Sequence, residues 1–103
     1  MTSYTCLWEF IVEPEQVDEF ERHYGPAGSW VRLFRQAPGF IRTILLRDSS
    51  DPRRFVTIDH WEGREAYLNF RSNFSRQYAD LDQRCEKLTV RETLIGEFSE
   101  PTV

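Results

Sequence analysis

Residues 54–74 read RFVTIDHWEGREAYLNFRSNF, which joins a strand pattern to a helix pattern. Its first part alternates and is rich in aromatic and β-branched residues, which predicts a strand from Phe55 to Glu62. From Gly63 onward apolar side chains recur every three or four residues, which predicts one long helix. The apolar stripe consists of Tyr67, Phe70, Phe74, Tyr78, Leu81, Cys85 and Leu88. This stripe would cover about six helical turns, with Ser72 and Asn73 as the point where the helix bends.

The flanking segments complete a strand-helix-strand-strand-helix-strand order. Strands are predicted at residues 4–12, 40–47 and 89–98, in addition to the one at 55–62. Pro14 suits the first turn of a helix that ends at Gly25, and Ser29 is a suitable N-cap for a short second helical piece. Gly96 is predicted to lie at a bulge. The order indicates an α+β fold of the ferredoxin-like βαββαβ type, with a four-stranded antiparallel sheet.

The length of 103 residues predicts one domain that spans residues 1–103. The chain contains eight Phe, four Tyr and three Trp, which is more apolar surface than so small a domain easily hides. Two helices can cover only one face of the sheet, yet both faces of the first strand carry apolar groups. We therefore expect a homodimer, in which the uncovered face meets its copy.

Charge and composition argue against several classes of partner. The net charge of −4 disfavours binding to nucleic acid, which needs clustered Lys and Arg. No apolar run approaches the roughly 18 residues that a membrane span needs. The first residues do not resemble a signal peptide, so we expect a cytoplasmic protein in which Cys6 and Cys85 are reduced and buried. The two histidines, His23 and His60, lack ligand spacing and predict no metal site.

Several other βαββαβ proteins are disfavoured by their missing motifs. RNA-recognition domains carry a basic-Gly-aromatic signature on the third strand, and residues 54–61 contain no glycine. Metallochaperones need a Cys-x-x-Cys pair after the first strand, and this chain has none. No glycine-rich phosphate loop is present either.

Four motifs resemble the antibiotic biosynthesis monooxygenase (ABM) family. They are Trp8-Glu9-Phe10 followed by Pro14; Ala37-Pro38-Gly39-Phe40 at the entry to the second strand; His60-Trp61-Glu62-Gly63-Arg64-Glu65-Ala66-Tyr67; and Glu92 with Gly96 in the last strand. Each motif is weak by itself, but their order and spacing over nearly the whole chain are fairly specific.

This resemblance implies a dimeric α+β barrel and a reaction, the oxygenation of a phenol. Family members of known activity oxygenate phenolic polycyclic substrates without flavin, haem or metal, so no cofactor is expected. Trp61 and Tyr67 match an aromatic pair that lines the cavity of one such oxygenase, whereas the asparagine four residues before that tryptophan is Thr57 here. Haem-degrading relatives carry a Trp and a His on the long helix. The corresponding positions are Phe70 and Asp80, which disfavours haem degradation.

A substrate pocket is expected between the sheet and the long helix. We expect its walls to be Trp61, Tyr67, Phe70 and Phe74, with Trp30 and Phe34 as a lid. Asp59 and His60 are the candidate catalytic proton acceptors, with Glu9 as a third. Because strand residues alternate between faces, Asp59 shares the face of Trp61 and His60 does not, so Asp59 is preferred. Asp59 can equally pair with an arginine, Arg42 or Arg54.

Two functions remain open on the sequence. One is a cofactor-independent monooxygenase that acts on a small aromatic or polyketide-like phenol. The other is a non-catalytic dimeric module of the same fold that binds a small hydrophobic ligand or acts as a scaffold. A proton acceptor inside an enclosed cavity would favour the first, and a filled interface between helix and sheet would favour the second.

Overall fold

The computed structural model of the chain describes residues 3–101. Its strands are β1 (Tyr4–Val12), β2 (Phe40–Arg47), β3 (Arg54–Trp61) and β4 (Thr89–Ser99). Its α-helices are α1 (Val17–Tyr24), α2 (Ser29–Phe34), α3 (Arg64–Asn73) and α4 (Ser75–Cys85). Single turns of 3-10 helix, Pro14–Gln16 and Glu86–Leu88, precede α1 and follow α4.

The four strands form one antiparallel sheet in the order β2-β3-β1-β4. The β2-β3 hairpin is closed by a polar turn in which Asp48 and Asp51 accept hydrogen bonds from backbone amides two residues further on. Side chains of this type favour turns because they satisfy the local backbone. The arrangement confirms the predicted ferredoxin-like α+β fold.

One face of the sheet is buried beneath the helices. Every second residue of β3 is buried on this side: Phe55, Thr57, Asp59 and Trp61. The ring of Phe20, from α1, is fully buried and lies 5.2 Å from the Phe10 ring and 4.9 Å from the Phe55 ring. Burying a Phe side chain stabilises a fold by about 1.5–3 kcal/mol, so this aromatic layer contributes a large share of stability.

The opposite face of the sheet, the outer face, remains open in a single chain. Ile58 lies near its centre, because it pairs with Leu7 on one side and Ile44 on the other. All three are only partly buried, and Leu46 and Phe98 are 49% exposed. The centre of this face is therefore an apolar patch that the described residues do not cover, with polar residues such as His60 and Arg42 beside it.

Two of the sequence motifs pack against each other at the edge of the sheet. Gly39 has a φ of 90°, which favours glycine, and a Cβ at this position would lie 2.5 Å from the Cβ of Ala66. The carbonyl of Gly39 also accepts a hydrogen bond from the amide of Glu62 at 2.8 Å. A small residue in each motif thus lets the start of α3 approach the start of β2.

The predicted single long helix is wrong, because it is two helices. The break lies at Phe74, whose backbone leaves helical geometry (φ −117°, ψ 26°). Ser72 and Asn73 precede it, and such side chains weaken a helix by competing for backbone hydrogen bonds. The Phe74 amide still bonds the Phe70 carbonyl at 2.9 Å, so the chain changes direction without losing this contact.

Two smaller expectations also differ from the structure. Ser29 is the first residue of α2 rather than its N-cap, and its hydroxyl lies 2.8 Å from Nδ1 of His23. Gly28 takes the N-cap position instead. The extra residue of the β4 bulge is Ile95, next to Gly96, because Gly96 pairs with Leu7 while Leu94 pairs with Trp8.

Candidate active site

A cavity of about 260 Å³ lies between the helix-facing side of the sheet and the helices. Strand residues of its lining are Cys6, Trp8, Phe10, Thr43, Thr57, Asp59 and Glu92, and helix residues are Tyr24, Trp30, Phe34, Tyr67, Arg71, Tyr78 and Asp82. The exposed members of this set are Arg71, Asp82 and Glu92, so these three charged residues mark the mouth. Aromatic walls around a few polar groups are typical of small-molecule sites.

Asp59 is a buried carboxylate on the floor of the cavity and only 8% exposed. Its Oδ1 accepts a hydrogen bond from the Thr43 hydroxyl at 2.7 Å, and no other side-chain hydrogen bond to it occurs within residues 3–101. Burial raises the pKa of this carboxyl from 3.8 to about 6, and the hydrogen bond from Thr43 offsets part of the rise. Near neutral pH the group is thus mostly ionised, yet it binds a proton far more readily than an ordinary aspartate.

Neither arginine pairs with Asp59. Arg42 and Arg54 lie on the outer face of the sheet, opposite to Asp59. Arg54 instead donates to Glu9 at 2.7 Å and to Asp48 at 3.0 Å. The alternative in which an arginine neutralises Asp59 is therefore wrong. Within residues 3–101 no cation pairs with Asp59, and desolvation is the main cause of its raised pKa.

The structure places His60 on the outer face, away from the cavity. Its Nδ1 lies 3.3 Å from the Thr5 hydroxyl, and its strand neighbours are Thr5 and Arg42. Glu9, the third candidate, also lies outside the cavity lining and is bound to Arg54. Of the three candidate proton acceptors, the cavity contains Asp59 alone.

The aromatic residues expected to form the pocket fall into two groups. Trp30, Phe34 and Tyr67 line the cavity. Trp61 and Phe70 are 0% and 1% exposed and do not line it, because they pack into the core behind that wall. The Trp61 ring lies 5.2 Å from both the Phe40 and Phe70 rings and 5.7 Å from the Tyr67 ring.

Phe74 also lies outside the lining. Its ring stacks on that of Phe70 at 5.6 Å, at the break between α3 and α4. The expectation that Trp61, Phe70 and Phe74 bound the cavity is thus corrected, since Trp61 and Phe70 are buried in the core and Phe74 packs on Phe70. Their shared apolar stripe predicts which side faces inward but not how deep each ring lies.

Arg71 forms a polar section of the wall together with Tyr67 and Tyr78, and of the three only Arg71 was not singled out from the sequence. Nη1 of Arg71 donates to the Tyr67 hydroxyl at 3.1 Å, and its Cζ lies 4.0 Å from the centroid of the Tyr78 ring. Burial raises the pKa of Tyr78 to about 12, so its hydroxyl remains protonated. The spacing of four residues places Tyr67 and Arg71 on one side of α3, but the position of Tyr78 depends on the break at Phe74.

The floor also contains two threonines that were not predicted to line the pocket. Thr43 and Thr57 are buried, and Thr57 lies two residues before Asp59 on the helix-facing side of β3. Polar residues at successive inward positions of a strand indicate a cavity, because a sealed core would leave them without partners. That pattern was visible in residues 55–61.

The two cysteines are free and buried, as expected. Cys6 lines the cavity and pairs with Asp59 across β1 and β3. Burial, followed by the nearby carboxylates of Asp59 and Glu97, raises the pKa of the Cys6 thiol to about 12. A thiol held in the protonated form is a poor nucleophile, so covalent catalysis by Cys6 is disfavoured.

No group of three or more His, Cys, Asp or Glu side chains within residues 3–101 is arranged to hold a metal ion. Among the same residues, no helix is long and apolar enough to cross a membrane.

Solved structures with this fold include oxygenases. A mutant of SnoaB, a cofactor-independent oxygenase from Streptomyces nogalater, superimposes with a TM-score of 0.81 at 21% identity over 98% of this chain and 95% of that chain. A conserved protein from Methanosarcina mazei gives 0.77 at 13% identity, covering 95% and 92%. A Pseudomonas aeruginosa protein gives 0.75 at 17%, covering 99% and 97%. At these identities the likeness shows the fold.

The fold and the aromatic cavity, which opens to solvent at one side, define a small ferredoxin-like α+β protein with a buried acid on the cavity floor. The family model of antibiotic biosynthesis monooxygenases matches residues 3–79, which is most of the chain. The protein therefore belongs to the antibiotic biosynthesis monooxygenase family. No curated protein matches its sequence.

Proposed function

We propose that this protein is a monooxygenase that needs no cofactor and transfers one oxygen atom of O₂ to a small phenolic aromatic. The observation that carries the proposal is Asp59, a carboxylate on the floor of an aromatic cavity with a pKa near 6. Family membership supports the reaction class. The likeness to SnoaB, a cofactor-independent oxygenase, supports the absence of a cofactor.

The first step is removal of the phenol proton by Asp59. A base works best when its pKa lies near the working pH, and burial brings this carboxyl toward that range. Thr43 holds one oxygen at 2.7 Å and so fixes the orientation of the carboxylate. The second oxygen is the proton acceptor, because no side chain within residues 3–101 donates to it.

The later steps follow from the electron-rich anion. The phenolate passes one electron to O₂, and the resulting phenoxyl radical and superoxide combine at a ring carbon to give a peroxide anion. Asp59 returns its proton to this anion, which becomes a hydroperoxide. Loss of the C–H proton at the same carbon, with cleavage of the O–O bond, then releases water and leaves a quinone. For 1-naphthol the balance is one O₂ consumed per 1,4-naphthoquinone and one water formed. The protein contributes orientation, the proton acceptor and a cavity of low polarity.

The cavity sets the size of the substrate. Small-molecule pockets usually enclose about 300–1,000 Å³, and this one encloses about 260 Å³. Substrates of two or three fused rings fit such a space better than four-ring polyketides. The rings of Trp30, Phe34 and Tyr67 would contact a planar substrate edge-to-face or by stacking.

The same proposal includes a homodimer in the cytoplasm. The apolar outer face needs a cover, and a second copy would bury it about a two-fold axis. Free thiols at Cys6 and Cys85 fit a reducing compartment.

Oxygen uptake with 1-naphthol tests the proposed reaction. We expect the wild type to consume one O₂ per quinone formed and to place one atom of ¹⁸O₂ in the product. Asp59→Asn should bind 1-naphthol in calorimetry but lose about 10²–10⁴-fold in rate, as removal of a general base does. His60→Asn is the matched control on the outer face and should keep the wild-type rate.

The outcomes separate the two functions. Binding of 1-naphthol and related phenols without oxygen uptake would leave a non-catalytic ligand-binding module of the same fold. An unchanged rate in Asp59→Asn would remove Asp59 from the mechanism while leaving the oxygenase in place.

A further inference from the structure

Arg71 is the only basic residue of the cavity lining in the described part of the chain. The other ionised groups of the lining are acidic: Asp59 on the floor, and Asp82 and Glu92 at the mouth. Arg71 forms no ion pair with a carboxylate within residues 3–101, since no Asp or Glu oxygen lies within 4.0 Å of its guanidinium. One side of the mouth therefore presents a positive charge that no carboxylate within residues 3–101 contacts directly, and the Glu97 carboxylate acts on it only from a greater distance.

The guanidinium is held in place rather than free in solvent. Nη1 donates to the Tyr67 hydroxyl at 3.1 Å, and Cζ lies 4.0 Å from the centroid of the Tyr78 ring. A guanidinium over an aromatic ring keeps the N–H groups at its edge available, and only the donor to Tyr67 has a protein partner among residues 3–101. Several fixed N–H donors thus remain for a ligand.

We propose that Arg71 binds a carboxylate carried by the substrate, at the end of the molecule opposite the hydroxyl that reaches Asp59. A planar guanidinium matches a carboxylate through two parallel hydrogen bonds. This inference rests on the proposed function for the position of the hydroxyl. The substrate class is accordingly a hydroxy-substituted aromatic acid of two or three fused rings.

The charges of the lining also fix the orientation. A substrate carboxylate placed near Asp59 would meet a like charge in a poorly solvated part of the cavity, and like charges there repel strongly. Asp82 and Glu92 disfavour their own side of the mouth in the same way. Only the side of Arg71 attracts the carboxylate, which leaves the hydroxyl pointing inward to Asp59.

The test compares 6-hydroxy-2-naphthoate with its methyl ester by isothermal titration calorimetry. The ester has the same rings, hydroxyl and carbonyl but no negative charge, so it isolates the charge. We expect wild type to bind the acid about tenfold more tightly than the ester, the low end for a charge-assisted hydrogen bond at an exposed residue. Arg71→Gln should bind both equally, and Arg71→Lys should keep part of the preference.

Arg76→Gln is the matched control, because this exposed residue of α4 does not line the cavity. It should keep the wild-type preference for the acid. Titration with 2-naphthol, which lacks the carboxylate, reports whether each variant still has a working cavity. Its affinity should be the same in wild type and Arg71→Gln.

Each result decides between the two proposals. If 2-naphthol binds and the acid binds no more tightly than the ester, the carboxylate inference is wrong and the phenol site stands. The same holds if Arg71→Gln keeps the preference. If wild type binds none of the three compounds, the proposed function and this inference both fail.

Discussion

Asp59 lowers the stability of the fold at neutral pH, and its proposed role explains why such a residue is there. Burial raises its pKa from 3.8 to about 6, so the folded protein binds this proton more tightly than the unfolded chain does. The resulting stabilisation is complete below about pH 4 and is lost as the pH rises through about 6. One pKa unit corresponds to about 1.4 kcal/mol, so the loss is on the order of 2–3 kcal/mol.

Asp59→Asn should therefore raise the free energy of unfolding by about 2–3 kcal/mol at pH 8 and change it little at pH 4. Urea denaturation at the two pH values measures this. Asp80→Asn, an exposed position of α4, serves as the control and should change the free energy by less than about 0.5 kcal/mol at both. Equal stability of wild type and Asp59→Asn at pH 8 would mean that Asp59 is solvated and its pKa ordinary.

Thr43 helps to set the pH above which Asp59 can act as a proton acceptor. Its hydrogen bond to Asp59 holds the pKa of the carboxyl below the value that burial alone would give. Thr43→Val removes that bond at nearly constant volume, so the acid limb of the pH–rate profile should move from about pH 6 to higher pH. Thr57→Val, also buried on the floor, should leave the midpoint in place. A shift of the Thr43→Val midpoint toward lower pH contradicts this account.

Sequence could separate Asp59 from His60 but could not find Arg71. Strand alternation depends only on the pleat, so it assigns neighbouring residues to opposite faces wherever the strand is regular. Arg71 lies on a helix, where a long side chain can extend into solvent or fold across a neighbouring turn. Its position over Tyr78 depends on the break at Phe74, and nothing local in the sequence determines how α4 turns after it.

At the scale of secondary-structure elements, α3 is fixed to the sheet mainly by Phe70. This ring is 1% exposed and lies 5.2 Å from both the Phe34 and Trp61 rings, so it joins three elements. Phe70→Ala should lower the free energy of unfolding by about 3–5 kcal/mol, the usual cost of removing a buried Phe. Leu68→Ala, which is 42% exposed on the same helix, should cost less than about 1 kcal/mol.

Urea denaturation of both variants measures the difference. A loss for Phe70→Ala no larger than that for Leu68→Ala would show that α3 docks through other residues. Phe70 was predicted to be a wall of the pocket, and this variant also separates that role from packing. A pure wall residue would weaken binding of 1-naphthol while the free energy of unfolding stayed near that of wild type.

The sequence predicted the type and order of the elements well because the patterns involved are long. Periods of two and of three to four residues persist over eight or more positions in β3 and in the α3–α4 segment. The pattern does not predict how deeply each inward-facing side chain is buried. Trp61 and Tyr67 both face inward, but Trp61 lies at a strand end beneath Phe34, Phe40 and Phe70, whereas Tyr67 is only half-buried.

At the scale of the whole molecule, the two sides of the sheet are used differently. The helix-facing side contains the aromatic core and the cavity, including residues that lower stability, such as Asp59. The outer face has no helix of its own among residues 3–101, although its centre is apolar across three strands. Monomeric proteins rarely expose large contiguous apolar patches, and a partner surface is the usual reason.

A second copy of the chain is the partner that we predict for this face. Leu7, Ile44 and Ile58 form an apolar row across three neighbouring strands, and the same row on a second copy could pack against it. We expect sedimentation at micromolar concentration to give twice the 12.3 kDa mass of one chain.

Ile58→Glu should yield monomers, because it would bury a carboxylate without a partner at the centre of the interface. Leu68→Glu, on the exposed side of α3, should remain dimeric. A wild-type monomer, or an Ile58→Glu dimer of unchanged mass, would mean that the outer face is not where two copies meet.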